Sequence, residues 1–197
     1  MHSTTSTESA KKRAAFAATS ELATQSSDIT AVAGRVSSFT GAGLPVPASL
    51  TGKSDRGVYL ANLPSRQTGG ELVGYTPRLQ DLIEDAMPLF WHILERNLIE
   101  SDRPVHLFYV NSSESLQENG RRLIDLFTRL SGTDRICLPI SSCHSMLVNT
   151  FRFALPYLRG MELDDVALVY LGENANRRTM ETVSKECGMA FYFHAFY

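Results

Sequence analysis

The chain has 197 residues, which is enough for one domain of ordinary size with additional tails. Hydrophobic residues make up 43% and charged residues 20%, as is typical of a globular protein with a substantial core. The net charge of −2 argues against a protein that binds nucleic acid or membranes through bulk positive charge, and no apolar run is long enough to span a bilayer.

Three cysteines are present, Cys137, Cys143 and Cys187, and none forms a C-x-x-C pair. An odd number of cysteines without a dense disulfide framework favours a reducing compartment, so we expect a cytoplasmic protein. The histidines show no ligand spacing among themselves. We therefore predict neither a metal site nor a cofactor.

Residues 1–56 are rich in Ser and Thr and contain few large apolar side chains. Such a segment buries too little surface to offset the entropy of ordering it, which predicts a disordered or loosely ordered N-terminal tail. Two alternatives remain open. Basic residues at 11–13 in a Ser/Ala-rich context are typical of an organelle transit peptide, although nearby acids count against it. The composition also resembles the leader of a bacterial protein exported by a host-contacting secretion system, which makes non-classical export the alternative location.

The folded domain is predicted to cover residues 57–197. It opens with a short strand over residues 58–63, followed by a turn-rich segment. Thr76-Pro77 then predicts the start of a helix, since proline is tolerated at the first helical position. Apolar residues recur along one stripe from Leu79 to Leu98, and Pro88 is expected to kink or split this helix.

Four apolar segments from residue 105 onward predict buried strands at 105–110, 136–140, 166–171 and 189–196. The first three are nearly continuous apolar runs, which indicates strands covered on both faces, as in a parallel sheet. Helical patterns lie between them, near residues 115–131, 145–159 and 174–187. The sequence thus predicts a three-layer α/β domain with a mainly parallel sheet of at least four strands.

In an open parallel sheet, ligands bind beyond the carboxyl ends of the strands, where the helices begin. Free N–H groups at the helix N-termini attract anions there. Small and polar residues follow each of the first three strands, and helix capping is the alternative explanation for them. The predicted ligand-binding residues are Asn111, Ser112, Ser113, Ser141, Ser142, Asn174, Arg177 and Arg178.

The segment Ser141-Ser142-Cys143-His144-Ser145 has the small-x-nucleophile-x-small form of a strand-to-helix nucleophile elbow. Cysteine followed by histidine at this place resembles the elbow of the class I glutamine amidotransferase and intracellular-protease superfamily, although serine stands here where that elbow usually carries glycine. The resemblance implies that Cys143 is a nucleophile. We expect His144 to be its base and Glu114 or Glu173 to orient that base. The alternative is a structural cysteine after a strand.

Two functional hypotheses follow from these residues. The first is a small hydrolase or transferase that acts on a small anionic substrate through Cys143. The second is a non-catalytic binding protein with a protein partner, such as a bacterial effector that engages a host macromolecule. Neither hypothesis involves nucleic acid or a membrane as partner.

Overall fold

The computed structural model describes residues 44–52, 57–62, 77–99 and 102–196, all of which belong to one compact unit. They form a single six-stranded sheet with five helices. The strands are β1 (Leu44–Pro45), β2 (Val58–Ala61), β3 (Val105–Tyr109), β4 (Arg135–Ile140), β5 (Val166–Gly172) and β6 (Ala190–Ala195). The helices are α1 (Ala48–Thr51), α2 (Pro77–Arg96), α3 (Leu116–Leu130), α4 (His144–Leu158) and α5 (Asn174–Glu186).

The strands lie side by side in the order in which they occur in the chain, from β1 to β6. Strands β2 to β6 are parallel, and only the two-residue β1 pairs antiparallel, with β2. All residues of β3 and β5 are buried, which explains their continuous apolar sequences. The predicted α/β fold with a parallel sheet is confirmed.

Helices cover both faces of the sheet and give the domain three layers. Apolar side chains of α3, α4 and α5 form one core with Phe108, Cys137 and Leu168. Helix α2 forms the other core with the alternate strand residues, such as Leu107 and Leu138. Because successive residues of a strand point to opposite faces, each central strand contributes to both cores.

The placement of α2 makes one connection in the sheet different from the others. The chain always steps to the next strand in the same direction, yet α2 lies on one face and α3, α4 and α5 lie on the other. The connection from β2 to β3 therefore has the opposite hand from the three that follow. As a result, the helices that follow β2 and β3 in the chain lie on opposite faces of the sheet, which is the arrangement found at the crevice of doubly wound α/β sheets.

The boundaries of α3 follow its capping residues. The Ser115 hydroxyl accepts a hydrogen bond of 3.2 Å from the Glu118 amide and so caps the start of the helix. The helix ends before Gly132, whose φ of +67° is in the left-handed region that glycine adopts without strain. Helix α5 likewise ends before Gly188, with a φ of +78°.

Helix α2 continues through Pro88 and is not split there. Pro88 and Glu84, the residue one turn before it, are both exposed, so water can hydrate the carbonyl that loses its hydrogen bond. None of the helices within the described ranges is long and apolar enough to cross a membrane.

Residues 44–52 extend the sheet on the N-terminal side of the predicted boundary at residue 57. The amide of Val46 donates to the carbonyl of Val58 at 2.8 Å, and the indole N–H of Trp91 donates to the carbonyl of Thr51 at 2.7 Å. These bonds attach the segment to β2 and α2. The rest of the predicted tail, residues 1–43 and 53–56, lies outside the described residues.

A buried asparagine joins the ends of β2 and β3 to the first turn of α3. Asn119 is fully buried, and its side-chain oxygen accepts hydrogen bonds from Asn62 Nδ2 and the Asn111 amide, both at 3.1 Å. Its side-chain nitrogen donates to the carbonyls of Asn111 and Ser115, at 2.9 and 3.2 Å. Every hydrogen-bonding position of this amide is therefore occupied.

Asn119→Ala is expected to lower the free energy of unfolding by about 2–3 kcal/mol, since it leaves several buried polar groups without partners. Asn119→Asp keeps the size of the side chain but removes the donor, and should also destabilise the protein. Urea denaturation followed by circular dichroism measures both effects. The control is Asn149→Ala on the exposed side of α4, which should change stability by less than ~0.5 kcal/mol. Equal stability of all four proteins would contradict this role of Asn119.

Candidate functional site

The parallel strands bring the loops after β3, β4 and β5 to one edge of the sheet, where α3, α4 and α5 begin. Ser141 connects two of these loops. Its hydroxyl donates to the Val110 carbonyl at 2.9 Å and accepts from the Cys143 amide at 3.1 Å. Ser141 is buried, so this predicted ligand-binding residue instead fixes the position of Cys143 relative to β3.

Pro139 separates β4 from β5 just below this edge. The Ile136 amide donates to the Pro104 carbonyl before β3, so the alternate residues Cys137 and Pro139 have their nitrogens toward β5. Proline has no N–H to donate, and the β4–β5 ladder ends at Cys137 and its partner Leu168. The two strands therefore lack ladder pairing after Cys137, over the last residues of β4 before the edge.

Cys143 is the N-cap of α4, and its side chain is partly exposed. Its sulfur lies 3.3 Å from the hydroxyl oxygen of Ser145. This hydroxyl, followed by the Met146 and Ser145 amides, holds the pKa of the Cys143 thiol below its usual range, and only slight burial opposes it. In contrast, burial raises the pKa of Cys187 to about 11 and raises that of Cys137 further. Cys143 is thus the one cysteine of the three placed for thiolate chemistry.

The turn that carries Cys143 differs from the nucleophile elbow that the sequence predicts. An elbow holds its nucleophile in a strained backbone conformation. Cys143 has φ −133° and ψ 94°, which is ordinary extended backbone. Within the described ranges, the only non-glycine residues with positive φ are Asn62 and Leu98. Cys143 therefore has the helix N-terminus of an elbow but not its strain.

His144 is the first residue of α4 and lies beside an apolar pocket of about 20 Å³, close to the space that one water needs. Leu82 and Ala86 of α2 and Phe196 line this pocket. His144 Nδ1 is buried and has no hydrogen-bond partner among the described residues. This nitrogen is therefore not oriented by a carboxylate.

The two predicted orienting acids are engaged elsewhere. Glu114 forms an ion pair of 2.7 Å with Arg122, and the same guanidinium nitrogen donates to Asn62 Oδ1 at 2.6 Å. Glu173 is exposed and accepts a hydrogen bond of 3.4 Å from Asn176. No hydrogen bond or ion pair in the described part of the chain links either glutamate to His144.

The remaining predicted ligand-binding residues divide into capping and exposed groups. The side-chain oxygen of Asn111 accepts from the Ser113 amide at 3.0 Å, so Asn111 stabilises its own loop. Ser112, Ser113 and Asn174 are exposed, and Ser142 is half-buried. These four side chains remain accessible from solvent at the edge.

The two arginines of α5 are both exposed, but they differ in their contacts. The Arg177 guanidinium lies 5.3 Å from the centre of the Phe193 ring, in a cation–π contact. Arg178 makes no side-chain hydrogen bond or ion pair in the described part of the chain, which leaves it available to an anion. Under this turn, the Tyr170 side chain fits against Gly172, since a Cβ at position 172 would overlap its hydroxyl.

Four residues at this edge were not predicted from the sequence: Asn62, Asn119, Arg122 and Ser145. Asn119 and Arg122 have the pattern of ordinary polar residues on a helix, and nothing local distinguishes a buried amide from an exposed one. The serine two residues after Cys143 was a usable signal, because a hydroxyl in the first turn of a helix can reach the N-cap side chain. No group of histidine, cysteine or acidic residues in the described ranges could hold a metal ion.

Ser145→Ala should raise the pKa of Cys143 toward that of an ordinary thiol, because it removes the largest stabilising interaction of the thiolate. The measurement is the rate of iodoacetamide alkylation at Cys143 as a function of pH, followed by mass spectrometry. Ser142→Ala is the control and should leave the profile unchanged. Cys137 and Cys187 should react only in denaturant. A profile that Ser145→Ala does not move would contradict this account of the thiol.

No protein-family model matches this sequence, and searches of the curated proteins and of the solved structures found no significant match. The chemistry of the edge is therefore inferred from the contacts of this chain alone.

Proposed function

We propose that this protein is a cysteine-dependent transferase or hydrolase that acts on a small anionic substrate at the carboxyl edge of its sheet. The observation that carries the proposal is that the Cys143 thiol is partly exposed and has a lowered pKa. Its thiol is partly exposed at the start of α4, with Ser145 Oγ at 3.3 Å and a pKa below the usual range. Thiolate, and not thiol, is the nucleophilic form of cysteine.

In the proposed reaction, the Cys143 thiolate attacks the carbonyl carbon of an acyl donor. A carbon–sulfur bond forms, the bond to the leaving group breaks, and the leaving group departs with the electron pair. The attacking form is the thiolate, which the Ser145 hydroxyl and the Met146 amide favour. Water or a second nucleophile then attacks the thioester, releases the Cys143 thiolate and loses a proton to solvent.

The position of His144 limits the leaving group. Nδ1 of His144 is buried beside an apolar pocket, and the two candidate acids are engaged by Arg122 and Asn176. A poor leaving group such as an amine needs an acid to protonate it. The proposed substrates are therefore acyl groups on a stable anion, such as a thiolate or a phosphate.

An anionic substrate fits the charge of this edge. Three helices begin here on one face of the sheet, and each N-terminus carries a partial positive charge and unpaired N–H groups. The exposed Ser112, Ser113 and Asn174 provide further hydrogen-bonding groups, and Arg178 provides a cation. The amides of Ser145 and Met146, which stabilise the thiolate, also lie close to the carbon it would attack.

A non-catalytic binding protein is the second candidate function. It is favoured by one observation: neither Glu114 nor Glu173 orients His144, so no cysteine–histidine–acid triad is assembled. In that case Cys143 serves only as a helix cap, and the exposed loops of the edge bind a protein partner, as expected for an exported effector.

Incubation with a panel of short-chain acyl thioesters should give a single acyl adduct on Cys143, detected by intact-mass and peptide mass spectrometry. Cys143→Ala should abolish the adduct, and its melting temperature should stay within a degree or two of wild type because this side chain is partly exposed. Asn149→Ala, on the exposed side of α4, should keep the adduct. If wild type forms no adduct while iodoacetamide still modifies Cys143, the enzyme proposal fails and the binding protein is favoured.

A further inference from the structure

We propose that the opposite, amino edge of the sheet carries a second binding site, which takes the phosphate group of a small phosphorylated molecule. A cleft of about 170 Å³ lies there between β2, β3 and the end of α3. One water needs only ~10–15 Å³ in this measure, so the cleft has room for a phosphate and part of the group that carries it. Its polar lining comes from Tyr59, His106, Arg129, Thr133 and Arg135.

The charge of the cleft is positive, and its two arginines are available. Neither the Arg129 nor the Arg135 side chain makes a hydrogen bond or ion pair with any part of the chain that the structure describes. Among the residues that the structure describes, no acid lines the cleft. Both arginines line the same concave space, and a guanidinium group can donate two parallel hydrogen bonds to the paired oxygens of a phosphate.

The nearest acids in sequence do not neutralise these arginines. Asp134 forms its ion pair with Arg103. Asp125, one helical turn before Arg129, is exposed and makes no ion pair with it. Within the described part of the chain, the two arginines that line the cleft therefore have no acidic partner.

The aromatic side of the cleft is built by the pairing of β2 with β3. Tyr59 and His106 are direct partners across the two parallel strands, and their rings stack at 5.6 Å with 25° between the planes. His106 is buried and Tyr59 is half-buried, so the stacked rings are packed in place and form one side of the cleft. The Tyr59 hydroxyl is a further donor for a bound anion, whereas the Thr133 hydroxyl already donates to the Leu130 carbonyl at 2.6 Å.

A small molecule fits this edge better than nucleic acid does. Exposed acids precede three of the strands at the same edge: Asp102, Asp134, Asp164 and Asp165. A polyanion that extended beyond the cleft would meet these charges, and the chain as a whole carries a net charge of −2. The proposed ligand is therefore a phosphate monoester whose remaining part is small enough to stay beside Tyr59 and Pro104.

Isothermal titration with phenyl phosphate and with inorganic phosphate tests the site. The full chain should bind phenyl phosphate with a Kd of ~1 mM or tighter. Arg129→Gln/Arg135→Gln should weaken this binding at least ~10-fold, which corresponds to about 1.4 kcal/mol. The matched control Arg96→Gln/Arg121→Gln removes the same charge from exposed positions outside the cleft and should leave the affinity unchanged.

Equal weakening in both double variants would overturn the proposal, because it would indicate a general effect of charge. A wild-type protein that does not bind phenyl phosphate would also overturn the proposal. If the Arg129/Arg135 variant does not fold, Arg129→Gln alone gives the same test, since Arg129 is exposed. Alkylation of Cys143 at the other edge should not alter phosphate binding, which separates this site from the proposed acyl-transfer chemistry.

Discussion

Burial of the central strands on both faces is the constraint on which the rest of this structure depends. The residues of β3 and β5 are all buried, so apolar helices must cover both faces of the sheet. Three helices cover one face, and in the described residues α2 covers the other, where it packs against side chains of β3, β4 and β5 with Leu50 of α1 in the same core. This arrangement collects three helix N-termini at the carboxyl edge, where Cys143 lies.

Much of this fold could be predicted from local patterns, because apolar runs mark buried strands and capping residues mark helix ends. Ser115, Gly132 and Gly188 illustrate this, since each acts within a few residues of its own position. The face chosen by α2 could not be predicted. Its apolar stripe shows that one side is buried but not what covers it, and only the full set of crossovers decides that choice.

The candidate site likewise combines features that local sequence predicts with contacts that it does not predict. A cysteine at a helix start could be predicted, because the strand before it and the helix after it are both visible in the sequence. The side chains that contact Glu114 and His144 could not be predicted from the sequence. Arg122, which pairs with Glu114, is also held by Asn62 at the end of β2, and the surroundings of His144 come from α2 and the C-terminal segment. Contacts between distant segments depend on the topology and not on any local pattern.

The missing N–H of Pro139 also has a mechanical consequence. The β3–β4 ladder continues to Tyr109 and Ile140, but the β4–β5 ladder stops at Cys137 and Leu168. Beyond that pair, the ladder between β4 and β5 does not continue, and we call this stretch the seam. Small opening motions should concentrate along this seam, since regular ladder hydrogen bonds do not resist them there. Helix α4 begins directly above the seam, so such breathing would shift the thiol of Cys143 relative to the start of α5 while the rest of the core stays closed.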